Sequence, residues 1–532
     1  MSDPAGLSSI VADLQMAFGG KIQRLYSGRP TEVYLETGRD SIAAIAAYLY
    51  NLRKIRLAMV FGIDRRKEEE VFYLQYTFAC DRAGGFILVR TPVPATDPEF
   101  PSLTPVIPAV NWQEREIQDW FGLTAVGHPN PRRVALHDDF PNSVHPLRKD
   151  FDLFSRPLPL PGPRHLFRPV EGEGVFQVPV GPIHAGIIEP GHFRFNVAGE
   201  PVLYLQIRLF YTHKATERLF EHKPLAHAVF LAESISGDSS FSHSTAFCQA
   251  IESLARVEVP RRARLMRTVL LELERLYNHI ADVGAIATDV GFMVANAHAM
   301  RLKEQLLCLN AELTGNRLLR SMNVYGGLRR DWDPRQIQRA AGLLRFLKVE
   351  FESLVDLILS SASTRDRLET TGILAHKTAV DLGVVGVAAR ASGVDLDVRR
   401  DFPYAAYDEI PPKVVLHSKG DVFDRMRVRM GEALDSIRIA LEALALLTPG
   451  PVSTALPPIP PESCALGYVE GWRGEILHWV VTGKNGSLAR CKIKDPSLNN
   501  WPALPEAVQG NIIPDFPVIN KSFNLSYSGT DR

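Results

Sequence analysis

Apolar and polar positions alternate in one part of this chain and recur at helical spacing in another. Within the first 150 residues, "RLAMVFGID" and "EEVFYLQYTFAC" alternate as strands do, and the turn "DRAGG" leads on into "FILVRTPVP". Ahead of them "SIAAIAAYLYNLR", residues 41–53, reads as a short helix. The pattern predicts an α+β unit of about 150 residues. It ends in "PNSVHPLRKDFDLFSRPLPLPGPRHLFRP", whose closely spaced prolines make a stiff connector that cannot continue a helix. The expected division is a first domain over 1–155, a proline-rich linker over 156–174 and a second domain over 175–532.

Beyond the linker the period changes. "GVFQVPVGPIHAGI" and "HFRFNVAGEPVLYLQIRLFY" read as strands, and a long helical zone follows to about residue 365. Its best-defined helix carries Leu265, Val269, Leu273, Leu276, Ile280 and Val283 at steps of three and four. Beside that stripe runs a polar one, Glu272, Arg275, His279 and Asp282. It reads either as a solvated face or internal ion-pair ladder, or as a buried proton-handling face. Near the end, "GWRGEILHWVVTGKNGSLARCKI" places two strands around a turn in which Asn485-Gly486 supplies positive φ.

Composition narrows the class. A chain of 532 residues is too long for one core and favours two to four domains. Its 45% hydrophobic and 23% charged content is that of an ordinary globular protein. Sixty basic residues balance sixty acidic ones, so bulk charge does not point to nucleic acid or anionic lipid. The start, "MSDPAGLSSIVADLQMAF", lacks the features of a secretory signal, and no apolar run reaches the length of a membrane span. Five scattered cysteines with no C-x-x-C pair argue against a disulfide framework or a self-contained zinc or iron–sulfur site, and for a reducing cytoplasm.

Common catalytic motifs are absent: no phosphate loop, no H-E-x-x-H, no G-x-S-x-G. His184, Glu189 and His192 in "GPIHAGIIEPGHFRF" can handle protons, or can simply be hydrogen-bonded groups packing a turn. "ARASGVDLDVRRDFPYAAYDE" is rich in Arg, Asp and Tyr and suits either a polar cavity or an intersubunit contact.

Read together, the segments carry a resemblance. Residues 100–151, "FPSLTPVIPAVNWQEREIQDWFGLTAVGHPNPRRVALHDDFPNSVHPLRKDF", resemble the 30-kDa-type subunit of respiratory complex I and its hydrogenase relatives. From residue 175 the chain is similar to the 49-kDa-type large subunit, especially as it occurs in membrane-bound group 4 nickel–iron hydrogenases and formate hydrogenlyase. The matching blocks are "GPIHAGIIEPGHFRF", "RLFYTHKATERLFE", "LELERLYNHIADVGA", "ARASGVDLDVRRDFPYAAYDE", "GDVFDRM", "EGWRGEI" and "SFNLSYSGTDR". They cover nearly the whole chain in the family's order. The resemblance implies an α+β N-terminal domain followed by a mainly α-helical large-subunit domain with small peripheral β-sheets.

It also implies what is missing. The hydrogenases carry C-G-x-C-G-F-x-H-S, whose thiolates bind nickel and bridge to iron; here "ESISGDSSFSHS" puts Ser236 and Ser239 at those places, followed by Phe241, His243 and Ser244. The second cysteine pair, in D-P-C-x-S-C-T-D-R, falls on Ser526 and Gly529. Nickel and iron need soft sulfur, so no metal centre is expected. Hydrogenase precursors continue past T-D-R with a cleavable extension, whereas this sequence stops at Asp531-Arg532, which agrees. The quinone pair of complex I is not carried over either: its histidine position falls on Pro190 and its tyrosine position on Gly237, with His192 a displaced substitute. Arg473 matches the arginine over the metal centre, and His243 the histidine beside a bridging thiolate. Arg473 either favours an anionic or polarised ligand or is paired with Glu470 or Glu475.

The candidate catalytic groups are therefore His184, Glu189, His192 and Arg473, and the candidate cofactor-binding groups Ser236, Ser239, His243, Arg473 and Ser526. The expected role is a redox subunit passing electrons between an iron–sulfur small subunit and a quinone or other small acceptor, without hydrogen chemistry. The alternative is a catalytically silent scaffold. No cofactor is expected on this chain, and a 4Fe–4S cluster is expected on a partner. The resemblance further implies a ferredoxin-like subunit, proton-channel or antiporter-like membrane subunits, no nucleic acid, and a cytoplasmic position at the inner face of the cell membrane.

Overall fold

The computed structural model describes residues 4–81, 83–159, 167–185 and 188–532; part of the proline-rich linker, 160–166, lies outside these. The N-terminal region is a five-stranded sheet of β1 (Ile22–Arg29), β2 (Glu32–Thr37), β3 (Arg56–Arg65), β4 (Val71–Cys80) and β5 (Gly85–Pro94). The order is β1-β2-β5-β4-β3, antiparallel except for the β2/β5 pair. The segments read as strands are strands, and almost every residue of β3 and β4 is buried. Both faces are covered, as in sheets sandwiched between layers. Helix α1 (Asn111–Phe121) packs on β3, and elements of the second region close the opposite side. Phe86 stacks on Phe402 with ring centroids 4.6 Å apart, and Phe61 meets Trp479 at 4.9 Å. The main apolar core runs through both regions, with smaller clusters beside it.

The second region opens with an antiparallel sheet of β6 (Val175–Val180), β7 (His192–Ala198) and β8 (Val202–Arg208). Long helices follow: α2 (Ser240–Ala255), α3 (Arg261–Asp289), α4 (Met293–Thr314), α5 (Pro334–Ser360) and α6 (Val422–Ala445). The apolar stripe of α3 is buried as predicted, and α3 lies against α4 and α6. A meander of β9 (Cys464–Gly471), β10 (Gly474–Thr482) and β11 (Leu488–Lys494) packs on α2. The turn at Asn485-Gly486 is present, with Gly486 at φ +75°. The chain ends in α7 (Phe516–Phe523) and the short helix Tyr527–Asp531. No helix among the described residues is long and apolar enough to cross a membrane.

Candidate functional site

Three structural elements converge at the head of α2. The loop 234–239 delivers Ser236, Asp238 and Ser239; the β9–β10 hairpin delivers Arg473; the segment before the last helix delivers Ser526. The hairpin is tight because Gly474 takes φ +135°, where a Cβ would come within 2.8 Å of the Gly386 backbone nitrogen. This close approach fixes where the Arg473 backbone sits.

Ser236 Oγ lies 2.9 Å from Ser526 Oγ although 290 residues separate them in sequence. Ser236 also bonds Asp238 Oδ1 at 2.9 Å, and Ser239 reaches the same oxygen at 3.4 Å. An ionised carboxylate only accepts, and a serine has a single proton, so Ser526 donates to Ser236 and Ser236 to Asp238. Arg473 grips the carboxylate with both nitrogens, Nη1 to Oδ1 at 2.7 Å and Nη2 to Oδ2 at 2.6 Å. Burial pushes the Asp238 carboxyl up, but the guanidinium more than offsets it and holds the group below its ordinary value. Arg473 further donates to the Asn524 carbonyl at 2.5 Å and lies 3.9 Å from the centre of the Trp472 ring.

Beneath this lies a second chain of contacts. His243 Nε2 is 3.1 Å from Asp495 Oδ2, and its Nδ1 is 3.1 Å from His478 Nε2, all three side chains being buried. Burial raises the Asp495 carboxyl, while its hydrogen bond to His243 pulls it below the ordinary range. Burial, aided by the neighbouring His243, keeps His478 neutral far below the usual imidazole range. Glu274 on α3 accepts from the backbone N–H groups of Phe241 at 2.7 Å and Ser242 at 3.0 Å, and from the Ser242 hydroxyl. Burial pushes it up to about 7 against those hydrogen bonds.

The four positions that the resemblance sets against hydrogenase cysteines, Ser236, Ser239, Ser526 and Gly529, do not fit a nickel–iron centre. Three present hydroxyls, hard donors that ionise far above neutral pH, and the fourth has no side chain. A Cβ on Gly529 would come within 2.5 Å of Asp495 Oδ2, so a carboxylate occupies the space a fourth sulfur would need. Among the described residues no group of three or more His, Cys, Asp or Glu side chains is placed to hold a metal.

A cavity of about 650 Å³ opens beside Asp238. Its walls include His184, Glu189, Ser236, Arg473, Ser526 and Tyr527, with an apolar side formed by Val180, Ile188, Phe516, Pro517 and Leu525. The loop 181–191 brings His184 and Glu189 to the rim, with residues 186–187 outside the described set. His184 Nε2 stands 3.5 Å from the Tyr527 hydroxyl, and Glu189 accepts from the Ser528 N–H at 3.2 Å. His192 does not line the cavity: it packs against Phe167, and its Nδ1 meets the Gly181 carbonyl at 3.3 Å. As a β7 residue two positions past Pro190 it faces away from the opening, so a role as displaced quinone histidine finds no geometric support. Ser239 and His243 lie under the floor rather than in the wall.

Other expectations need correction. Arg473 pairs with neither Glu470 nor Glu475; these bind Arg390 and the Arg56/Lys494 pair, and Asp238 is its partner. The arginine therefore does not offer an unmatched positive charge to a ligand. The second stripe of α3 is an internal ladder of ion pairs, Glu272 with Arg399 at 3.0 Å and Asp282 with Arg429 at 2.8 Å, in which His279, kept neutral by burial, lies 3.2 Å from Glu432. Arg275 also bonds Glu432. The stretch 389–409 lines no large cavity: Arg390, Asp397 and Arg399 complete that ladder, while Asp395, Asp408 and Glu409 lie at the surface. Sequence reading missed Asp238, Asp495, His478, Glu274 and Tyr527. Asp238 had a signal, a carboxylate lying between the two serines that replace cysteines. Asp495 had none, because its partner His243 is 252 residues away.

Comparison with known proteins sets these features in context. The family model for the respiratory-chain NADH dehydrogenase 49 Kd subunit matches residues 289–463 and 457–532, and that for the 30 Kd subunit matches 35–157. The chain is 35% identical to hydrogenase-4 component G of Escherichia coli (strain K12), over 98% of this chain and 92% of that one. Formate hydrogenlyase subunit 5 of the same organism is 34% identical over 92% of this chain and 87% of its own length. The C/D subunit of the NADH-quinone oxidoreductase of Bacteroides fragilis is 29% identical, covering 87% and 90%. A solved archaeal respiratory membrane complex, the membrane-bound sulfane sulfur reductase, contains a chain that superimposes with a TM-score of 0.64 at 25% identity, over 69% of this chain and all of that one.

Proposed function

The chain belongs to the family of fused 30-kDa-type and 49-kDa-type subunits of complex I and group 4 hydrogenases, and from that premise we propose that it is the large redox subunit of a membrane-associated oxidoreductase that has given up hydrogen chemistry. The observation that carries this reading is the donor set at the candidate metal position: hydroxyls at Ser236, Ser239 and Ser526, a glycine at 529 crowded by the Asp495 carboxylate, and Arg473 paired with Asp238. Beside that position an open cavity remains. A scaffold with no chemistry has no need to keep a cavity with polar groups along one wall and apolar ones along the other, the make-up of a small-molecule site. Electrons would arrive from an iron–sulfur cluster on a neighbouring small subunit and leave on a small acceptor in the cavity. His184 and Tyr527 stand where they can hold or pass protons to such an acceptor. Burial keeps the Tyr527 hydroxyl protonated well above the ordinary phenol range, so it enters as a donor. With no crossing helix among the described residues, attachment to the membrane would run through partner subunits, including ion-channel-like ones.

Metal analysis of the purified complex, paired with assays of hydrogen uptake and of quinone-analogue reduction, tests this reading. The expected result is nickel far below one per large subunit, no hydrogen uptake, and acceptor reduction lost on filling the cavity with Leu525→Trp. Stoichiometric nickel or hydrogen uptake would overturn it.

A further inference from the structure

We infer that Asp238 is the charge-selectivity residue of the cavity: by neutralising Arg473 it makes the site accept an uncharged, partly apolar molecule with hydrogen-bonding groups and reject anions. The inference rests on the acceptor reading above and deepens it.

The formal charges in and beside the cavity each lie near one of opposite sign. The Arg473 guanidinium spends both Nη atoms on Asp238, at 2.6 and 2.7 Å, and its Nε on the Asn524 carbonyl. The two-pronged face of its planar fork, which a bound carboxylate or sulfonate would need, is already taken by the Asp238 carboxylate. Lys521 and Asp289 share the wall, and the field of the lysine opposes the upward push that burial gives the Asp289 carboxyl. Glu189 at the rim lies in the field of Lys214. Ser236 and Ser526 are turned toward each other and toward Asp238. An anion entering this volume meets the outer face of a carboxylate, because 38% of the Asp238 side-chain surface is open while the Arg473 side chain is 5% exposed behind it. Like-charge approach in a partly desolvated site is unfavourable. An uncharged molecule meets no such penalty. It can lay an apolar body along Val180, Phe516 and Leu525 and turn its polar end to Tyr527, His184 or Asn524.

Asp238→Asn separates the charge from the shape. The amide oxygen can still accept from Arg473, while the arginine regains net positive charge toward the cavity. Suitable probes are two naphthoquinones of nearly equal size, one bearing a neutral 2-sulfonamide and one a 2-sulfonate, titrated against the full chain in its purified complex. The wild type is expected to bind the sulfonamide at least roughly tenfold more tightly than the sulfonate. Asp238→Asn is expected to raise sulfonate affinity by about tenfold with little change for the sulfonamide, and adding Arg473→Gln is expected to abolish that gain. A merely structural role for Asp238 would weaken both probes alike. An unchanged ratio between the probes, with sulfonamide binding intact, overturns this inference alone. No binding of either probe to wild type and variants overturns the acceptor reading, and this inference with it.

Discussion

Two buried polar regions of the molecule look alike in composition and differ in what they can do. Around α3 and α6, Glu272, Arg275, His279, Asp282, Arg390, Arg399, Arg429 and Glu432 form a ladder with almost no exposed surface. At the head of α2, Asp238, Arg473, Ser236 and Ser526 form a smaller set that ends on a cavity of about 650 Å³. In the ladder charge meets charge, and no volume remains for a ligand. At the α2 site the pairing is as complete, but one of its faces is open. Buried polarity alone is therefore a poor guide to a functional site; polarity that borders an open volume is a better one.

The contrast can be tested most severely in the ladder. Glu432 accepts from Arg275 and Arg390 and faces His279, so Glu432→Ala leaves two buried guanidinium groups short of a partner and should cost about 3–5 kcal/mol in denaturant unfolding. Asp238→Ala should cost no more than about half of that, because water in the cavity can solvate Arg473. Equal losses would erase the distinction between the two regions. Next in size is Gly529→Ala, whose new methyl would press on the Asp495 carboxylate and lower stability by about 1–3 kcal/mol. Restoring cysteine at 236, 239, 526 and 529 is expected to give a chain that still binds no nickel until Asp495 is also replaced, as read by metal content.

A pH titration sharpens the comparison further. Glu274 has its carboxyl raised to about 7 from an ordinary 4.5 by burial, so the folded protein holds a proton there that the unfolded chain gives up. Its contribution is present in full below pH 4.5 and is lost as pH rises through 7. Glu274→Gln should therefore remove a downward slope of roughly 1 kcal/mol per pH unit within that window, measured as the difference between wild-type and variant unfolding curves. A parallel pair of curves would show that the carboxyl is not raised. The smallest effect belongs to the surface: Arg365→Ala breaks a pair with Glu369 at 3.0 Å and should change stability by less than about 0.5 kcal/mol.

The strands of the first region, the apolar stripe of α3 and the hairpin at Asn485-Gly486 are legible in the sequence because each follows from a local period or a local backbone requirement. The first strand of the C-terminal meander, Cys464–Gly471, is not, since it pairs with β10 without an alternation of its own. The polar stripe of α3 is visible as a stripe, but its meaning is not: Arg390, Arg399, Arg429 and Glu432 lie far away in the chain, and only packing brings them to it. The site shows the same divide. The hydroxyl and glycine positions of the candidate site are written in "ESISGDSSFSHS" and "SFNLSYSGTDR". The partner of Arg473 is not, and the carboxylates nearest to it in sequence serve Arg390, Arg56 and Lys494 instead.

By itself, then, the sequence determined which elements form and which donor types stand at the candidate site, since periodicity, turn chemistry and side-chain donor type are properties of short stretches. Tertiary structure alone decided which charges neutralise one another and which volume stays open. Those depend on distances between residues hundreds of positions apart, such as Ser236 to Ser526, and on how closely a backbone like that at Gly529 approaches Asp495.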